Sequence, residues 1–206
     1  MAIISNAVTI ADAGAFSASL GSMTLIKTLT ASSSGTLSFV DGASSVVLDN
    51  TYPIYKFEFI NIHPATDNVN FTVNFRDGGS NYDATKTSSS FGAYHDEGDS
   101  ATGVNYETSF DLAQSTSAQI LGIGGSIGNG NDESLSGTLQ LFNPSSTTFV
   151  KHYISNIHFY NKDNYATNSF IAGYCNVTAA IDGVQFAMSS GNIDAGTIKL
   201  YGIKDS

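Results

Sequence analysis

Four side chains that could bind a cation or move a proton stand close together in AYHDEGDS (93–100): His95, Asp96, Glu97 and Asp99. Carboxylates and an imidazole at that spacing can hold a hard cation through oxygen ligands, or pass a proton between acid and base. The run does not fit the calcium-binding loop, which needs alternating Asp or Asn, a turn Gly and a distant Glu. A solvated acidic loop accounts for the same residues, so we assign no metal and keep these four as the candidates to inspect for one. In a glycan-degrading enzyme, Asp96, Glu97 and Asp99 would be the first carboxylates to suspect. His63 precedes Pro64, while His152 and His158 share parity in one expected strand. Six residues of extended chain set these two about 20 Å apart, which excludes a shared zinc ion.

The glycine-rich run LGIGGSIGNGND (121–132) has the look of a phosphate cradle without its essentials. No Lys-Ser/Thr pair follows it, and NDESLSG leads toward a strand rather than a helix. The reading kept is a flexible turn between strands. Ser126 and Cys175 lack the partners and the sharp strand-to-helix turn that activate a nucleophile, so no catalytic residue is assigned and the chain is expected not to be an enzyme. Tyr82, Tyr94, Tyr106, Tyr160 and Tyr165 fall in or beside segments rich in Asn and Asp. Tyrosine rings beside carboxamides make sugar-binding surfaces, and the same rings also cap sheet ends and fill protein interfaces. These five are the glycan-binding candidates, with host surface glycans as the ligand class.

The elements that would carry these residues are strands. In VNFTVNFR (69–76), Val69, Phe71, Val73 and Phe75 alternate strictly with polar residues, the period of a sheet with one buried face. IYKFEFINIH (54–63) begins on one parity with Tyr55, Phe57 and Phe59 and switches to Ile60 and Ile62, as a bulge near Phe59 would produce. The two segments are expected to pair as a hairpin across PATDN. MTLIKTLT (23–30), GTLSFVD (35–41) and VVL (46–48) read as further strands, and residues 81–102 read as a long polar surface loop. Strands also fit GTLQLFN (137–143), TTFVKHYISNIHFYN (147–161), NSFIAGYCNVT (168–178), GVQFAMS (183–189) and GTIKLYGIK (196–204). About eight to ten strands in one domain predict a single antiparallel β-sandwich of jelly-roll type over residues 23–206. Residues 1–22, small, weakly apolar and broken by Gly14 and Gly21, read as an N-terminal attachment arm.

Composition narrows the partners. Among 206 residues, 18 acidic side chains outnumber 8 basic ones for a net charge of -10, so nucleic acid is not an expected partner. Charged residues make up 13%, about half the usual share, and Ser, Thr, Asn and Gly replace them, which suits strands and turns over helix surfaces. One cysteine rules out an intrachain disulfide. No stretch is apolar enough to cross a bilayer as a helix, and no signal sequence is recognised at the N-terminus. No cofactor is implied.

Four segments carry a resemblance: YPIYKFEFINIHPATDNVNF (52–71), AYHDEGDS (93–100), GNGNDESLSGTLQLFNPSSTTFVKHY (128–153) and SSGNIDAGTIKLYGIK (189–204). Over roughly residues 50–204 the chain resembles virion structural proteins of marine tailed bacteriophages, including those of cyanobacterial hosts. The resemblance implies a place in the particle, as tail fibre, tail tip or capsid decoration, and brings no catalytic residues with it. Its expected partners are other virion proteins and further copies of itself, with a trimer preferred. The expected location is the virion surface after assembly in the host cytoplasm.

Overall fold

A computed structural model describes residues 22–204, together with the backbone of three short N-terminal strands, β1 (Ile3–Ser5), β2 (Val8–Asp12) and β3 (Ala15–Phe16), which pair antiparallel as their own sheet. The expected attachment arm lies for the most part outside the described residues. From Ser22 onward the described chain is all-β, with no helix.

Twelve antiparallel strands form two sheets. They are β4 (Met23–Thr30), β5 (Leu37–Val40), β6 (Ile54–Pro64), β7 (Phe71–Arg76), β8 (Lys86–Asp96), β9 (Thr102–Tyr106), β10 (Gln119–Ile120), β11 (Leu135–Phe142), β12 (Lys151–Tyr160), β13 (Tyr165–Cys175), β14 (Gly183–Met188) and β15 (Ile193–Ile203). The large sheet runs β4-β15-β6-β11-β12-β13-β8-β9 and the small one β10-β7-β14-β5. The core lies between them. Phe186 on β14 meets Phe57 and Phe59 of the large sheet edge-on, with ring centroids 5.3 and 5.1 Å away, and stacks on Phe71 of its own sheet at 5.7 Å. Edge-to-face contacts of this kind align the positive rim of one ring with the negative face of the next.

The alternation in 69–76 is realised: Val69, Phe71, Val73 and Phe75 are all buried. β6 also breaks, but at Asn61, which takes a left-handed φ of 49°: the register slips between Phe59 and Ile62 against β11 and between Ile60 and His63 against β15, so Ile62 is buried while Ile60, expected on the same face, is exposed. The expected hairpin of β6 with β7 is not formed. β6 pairs with β11 and β15, and β7 pairs with β10 and β14 in the other sheet. Two strands that are each strongly apolar on one face bury more surface stacked face to face than side by side. Val46 and Leu48 are buried, but in a turn held by the Leu48 amide donating to Asp41 Oδ1 at 2.8 Å, and not in a third strand.

The expected loop over 81–102 is also corrected, because its middle half is β8, paired along its whole length with β13. Its inward positions include Ser88, Ser90 and Gly92, so no apolar period marks it. Hydroxyls hold its cover in place instead. Ser90 Oγ donates to the Glu107 carbonyl at 2.9 Å, and Ser88 Oγ accepts the Leu112 amide at 2.9 Å.

Candidate functional site

At the far end of the large sheet, β8 and β13 bring Tyr94 and Tyr165 together, with ring centroids 5.7 Å apart and planes at 71°. Their rings, with Ala101 and Gly124, line an open cleft of about 230 Å³. Register explains the meeting: Tyr165 pairs with Asp96 and Thr167 with Tyr94, so the two rings sit on the same face, two residues apart across neighbouring strands. Tyr94 lies across Gly103 of β9, where an added Cβ would come within 2.9 Å of its hydroxyl. Only glycine leaves room for the ring there. Tyr160, at the end of β12, donates its hydroxyl to Asn164 Oδ1 at 2.8 Å. Partial desolvation and the nearby Glu97 carboxylate hold that phenol above its ordinary range. Three of the five candidate tyrosines therefore share one end of the molecule. The other two do not join them. Tyr106 points outward from β9 and donates to Asp111 Oδ2 at 2.7 Å, and Tyr82 packs beside Gly183 near Arg76, at the Lys86 end of β8.

The acidic segment forms the hairpin turn between β8 and β9. Asp96 accepts hydrogen bonds from the Ser100 amide (2.8 Å), the Ser100 hydroxyl (2.6 Å) and the Ala101 amide (2.6 Å), which hold its carboxyl below the usual range. Both its oxygens are committed to closing the turn. Asp99, at φ 55°, faces His95, whose Nε2 lies 3.0 Å from its carboxylate, and the Glu97 amide donates to the Asn164 carbonyl. Among the described residues no three His, Cys, Asp or Glu side chains converge as a metal site would require. His63 Nε2 is 3.1 Å from the Gly130 carbonyl, and the His152 ring lies beside Tyr174.

The glycine-rich run is packed rather than a loose turn. Leu121, Ile123 and Ile127 are buried in it, and Ile123 exchanges two hydrogen bonds with Ser169 Oγ. The Gly130 amide, which in a phosphate cradle would face an anion, donates to Glu133 Oε2. The segment thus serves as the inner cover of β12 and β13, with Gly122 against Phe159 and Gly124 against Thr167.

A row of buried polar groups went unforeseen. Lys151 of β12, Cys175 of β13 and Lys86 of β8 stand side by side in register and face inward, all buried. Lys86 Nζ donates to Asn74 Oδ1 (2.5 Å) and the Ala84 carbonyl (2.7 Å); Lys151 Nζ donates to the carbonyls of Ser146 (3.2 Å), Val177 (2.7 Å) and Ala179 (2.5 Å). Burial pushes the Cys175 thiol up to about 12, which leaves it protonated and unreactive at neutral pH. One sign of this was in the sequence, since Lys151 shares parity with Tyr153, Ile157 and Phe159.

The fold and these sites define a two-sheet antiparallel β-sandwich protein whose polar side chains are largely engaged in holding turns and loops. No family model, no curated protein and no solved structure matches the chain.

Proposed function

We propose that the chain is a non-enzymatic structural subunit of a tailed-bacteriophage particle: an exposed appendage, as tail fibre, tail tip or capsid decoration, carried by residues 1–22 as an arm. The observation that carries this reading is a neutral outer face. On β12, β13, β8 and β9 not one outward side chain is Asp, Glu, Lys or Arg, although the chain bears a net charge of -10. Charge-free faces with aromatic residues suit the centre of protein–protein contacts, and a particle subunit is held by such contacts. The resemblance to virion structural proteins points the same way.

For the sandwich we propose jelly-roll winding. The strand orders β4-β15-β6-β11 and β5-β14-β7-β10 support it, because the chain changes sheets between β4 and β5, β6 and β7, and β14 and β15. That is the order produced by wrapping one long antiparallel pair around a core. The strands β12, β13, β8 and β9 then extend one sheet beyond the eight.

In purified particles, an antibody against this chain is expected to label the exterior, and a variant lacking residues 1–22 is expected to be left out. Absence of the full chain from purified particles would defeat the structural role; normal incorporation of the truncated form would defeat the arm.

A second reading, a carbohydrate-binding module for host glycans, is favoured by one observation, the Tyr94–Tyr165 cleft. On a glycan array, binding should be lost in both Tyr94→Ala and Tyr165→Ala while Tyr82→Ala retains it. If no host polysaccharide binds, or Tyr82→Ala is equally affected, the cleft is not a sugar site.

A further inference from the structure

The four strands that extend the large sheet carry a surface unlike the rest of the molecule. On the other half of the same outer face, Lys56 bonds Glu58 at 2.9 Å and Lys199 pairs with Glu58 across the strands. No ion pair of this kind crosses the extension. Its most prominent feature is a ridge: Phe91 of β8 stacks on Phe170 of β13, centroids 5.0 Å apart and planes 11° from parallel, and Phe91 remains 46% exposed. Register leaves a hollow on either side. On one side the row Ile154, Ala172 and Ser89 floors an apolar hollow of about 360 Å³, and Ile154 stands 52% exposed at its rim. On the other side the row His158, Asn168, Ala93 and Val104 lines an open cleft of about 430 Å³, and Val104 is 73% exposed. Asn168 Oδ1, within this face, is buried and has no hydrogen-bond partner, a state that costs stability until a donor reaches it.

We propose that this face binds a second copy of the same chain about a two-fold axis, with the Phe91–Phe170 ridge of each copy seated in the hollow over Ser89 and Ala172 of the other. The inference rests on the structural reading above and names its partner. A ridge beside a hollow on one surface is self-complementary, which is what an isologous contact demands. Charge selects the same partner. Two copies that each carry -10 repel one another least where no strand residue facing out is ionised; the nearest carboxylates, Asp99 on His95 and Asp111 on Tyr106, stand at the end of β8 and beside the edge strand β9. Size agrees as well, since three strands of about ten residues and the five-residue β9, spaced about 4.8 Å apart, make a face of roughly 550 Å² before side-chain relief, which that relief raises toward the roughly 800 Å² per partner of stable interfaces. Face-to-face packing of this kind gives a pair, so it favours a dimer over the trimer expected from composition and resemblance.

Sedimentation velocity on the full chain tests it. The wild type is expected to sediment as a dimer at micromolar concentration, and Phe91→Glu to weaken dimerisation by about 100-fold or more, while Lys199→Glu on the charged half leaves it unchanged. Phe91 points outward, so the circular-dichroism spectrum should be retained; if that variant fails to fold, Ile154→Lys takes its place with the same expectation. A monomeric wild type, a trimer, or a dimer indifferent to these substitutions would overturn the proposal. Particle content separates it from the structural reading. A monomer still present in virions defeats only the dimer, whereas a Phe91-dependent dimer absent from virions defeats only the structural role.

Discussion

Phe186→Ala is expected to destabilise the protein by about 3–5 kcal/mol and to lower the melting temperature by roughly 10 °C. Phe186 is fully buried at the centre of the aromatic cluster between the sheets, since Phe57 and Phe59 of the large sheet and Phe39 and Phe71 of its own all lie within 6.3 Å of it between centroids. Truncation removes its own transfer free energy and also leaves a cavity bounded by four stiff rings. Aromatic walls set on strands cannot collapse inward without breaking register, so little of that cavity closes. Against a total stability of about 5–15 kcal/mol for a domain, the loss is large. Phe149→Ala serves as the comparison, because Phe149 is 70% exposed and should change stability by less than about 1 kcal/mol. Calorimetry of the two variants decides the matter: similar, small shifts would mean that the sheets are not locked through Phe186.

Between about pH 8 and pH 9 the protein should become more stable as the solution becomes more alkaline, by about 1 kcal/mol. The cause is Lys86, whose burial pushes its ammonium down to about 8 from an ordinary 10.5. Below pH 8 native and unfolded chains both hold the proton, and the penalty of the buried charge is present in full. Above it the native amine is neutral while the unfolded one stays protonated, so the unfolded state binds more protons and stability rises with pH. Lys151, lowered for the same reason, adds to the rise. Cys175 acts oppositely above about pH 9, and Tyr55 and Tyr153 above pH 10, because burial raises the thiol and both phenols and the unfolded chain ionises first. A maximum near pH 9 follows. Urea unfolding of the wild type and of Lys86→Met at about pH 7.5 and about pH 9.5 should show a clear rise in the first and a smaller one in the second. Equal slopes in the two proteins would show that Lys86 titrates as an ordinary surface lysine.

Several features were legible in the residues because they depend on neighbours along the chain. Side-chain alternation is a local property of an extended backbone, and it marked β7, the inward face of β12 and a bulge in β6, though not its place. The scarcity of charge excluded helix surfaces for the same reason. β8 escaped notice because its inward positions are Ser and Gly, whose burial depends on hydroxyls bonding a segment about twenty residues away. Likewise, Asp96 looks like a ligand in sequence, yet the turn it closes consumes both oxygens.

By itself, then, the sequence determined that this is an all-β chain with a buried aromatic core and few ions, since pattern and composition act residue by residue. Only the tertiary structure decided which strands lie beside one another, and with that everything made between strands: the Tyr94–Tyr165 cleft, the row of Lys151, Cys175 and Lys86, and the ridge of Phe91 on Phe170. Each joins residues between 24 and 89 positions apart. Period two says which way a side chain points and is silent about its neighbour across the sheet, because pairing is set by competition among all the strands for the same hydrogen bonds and the same buried face.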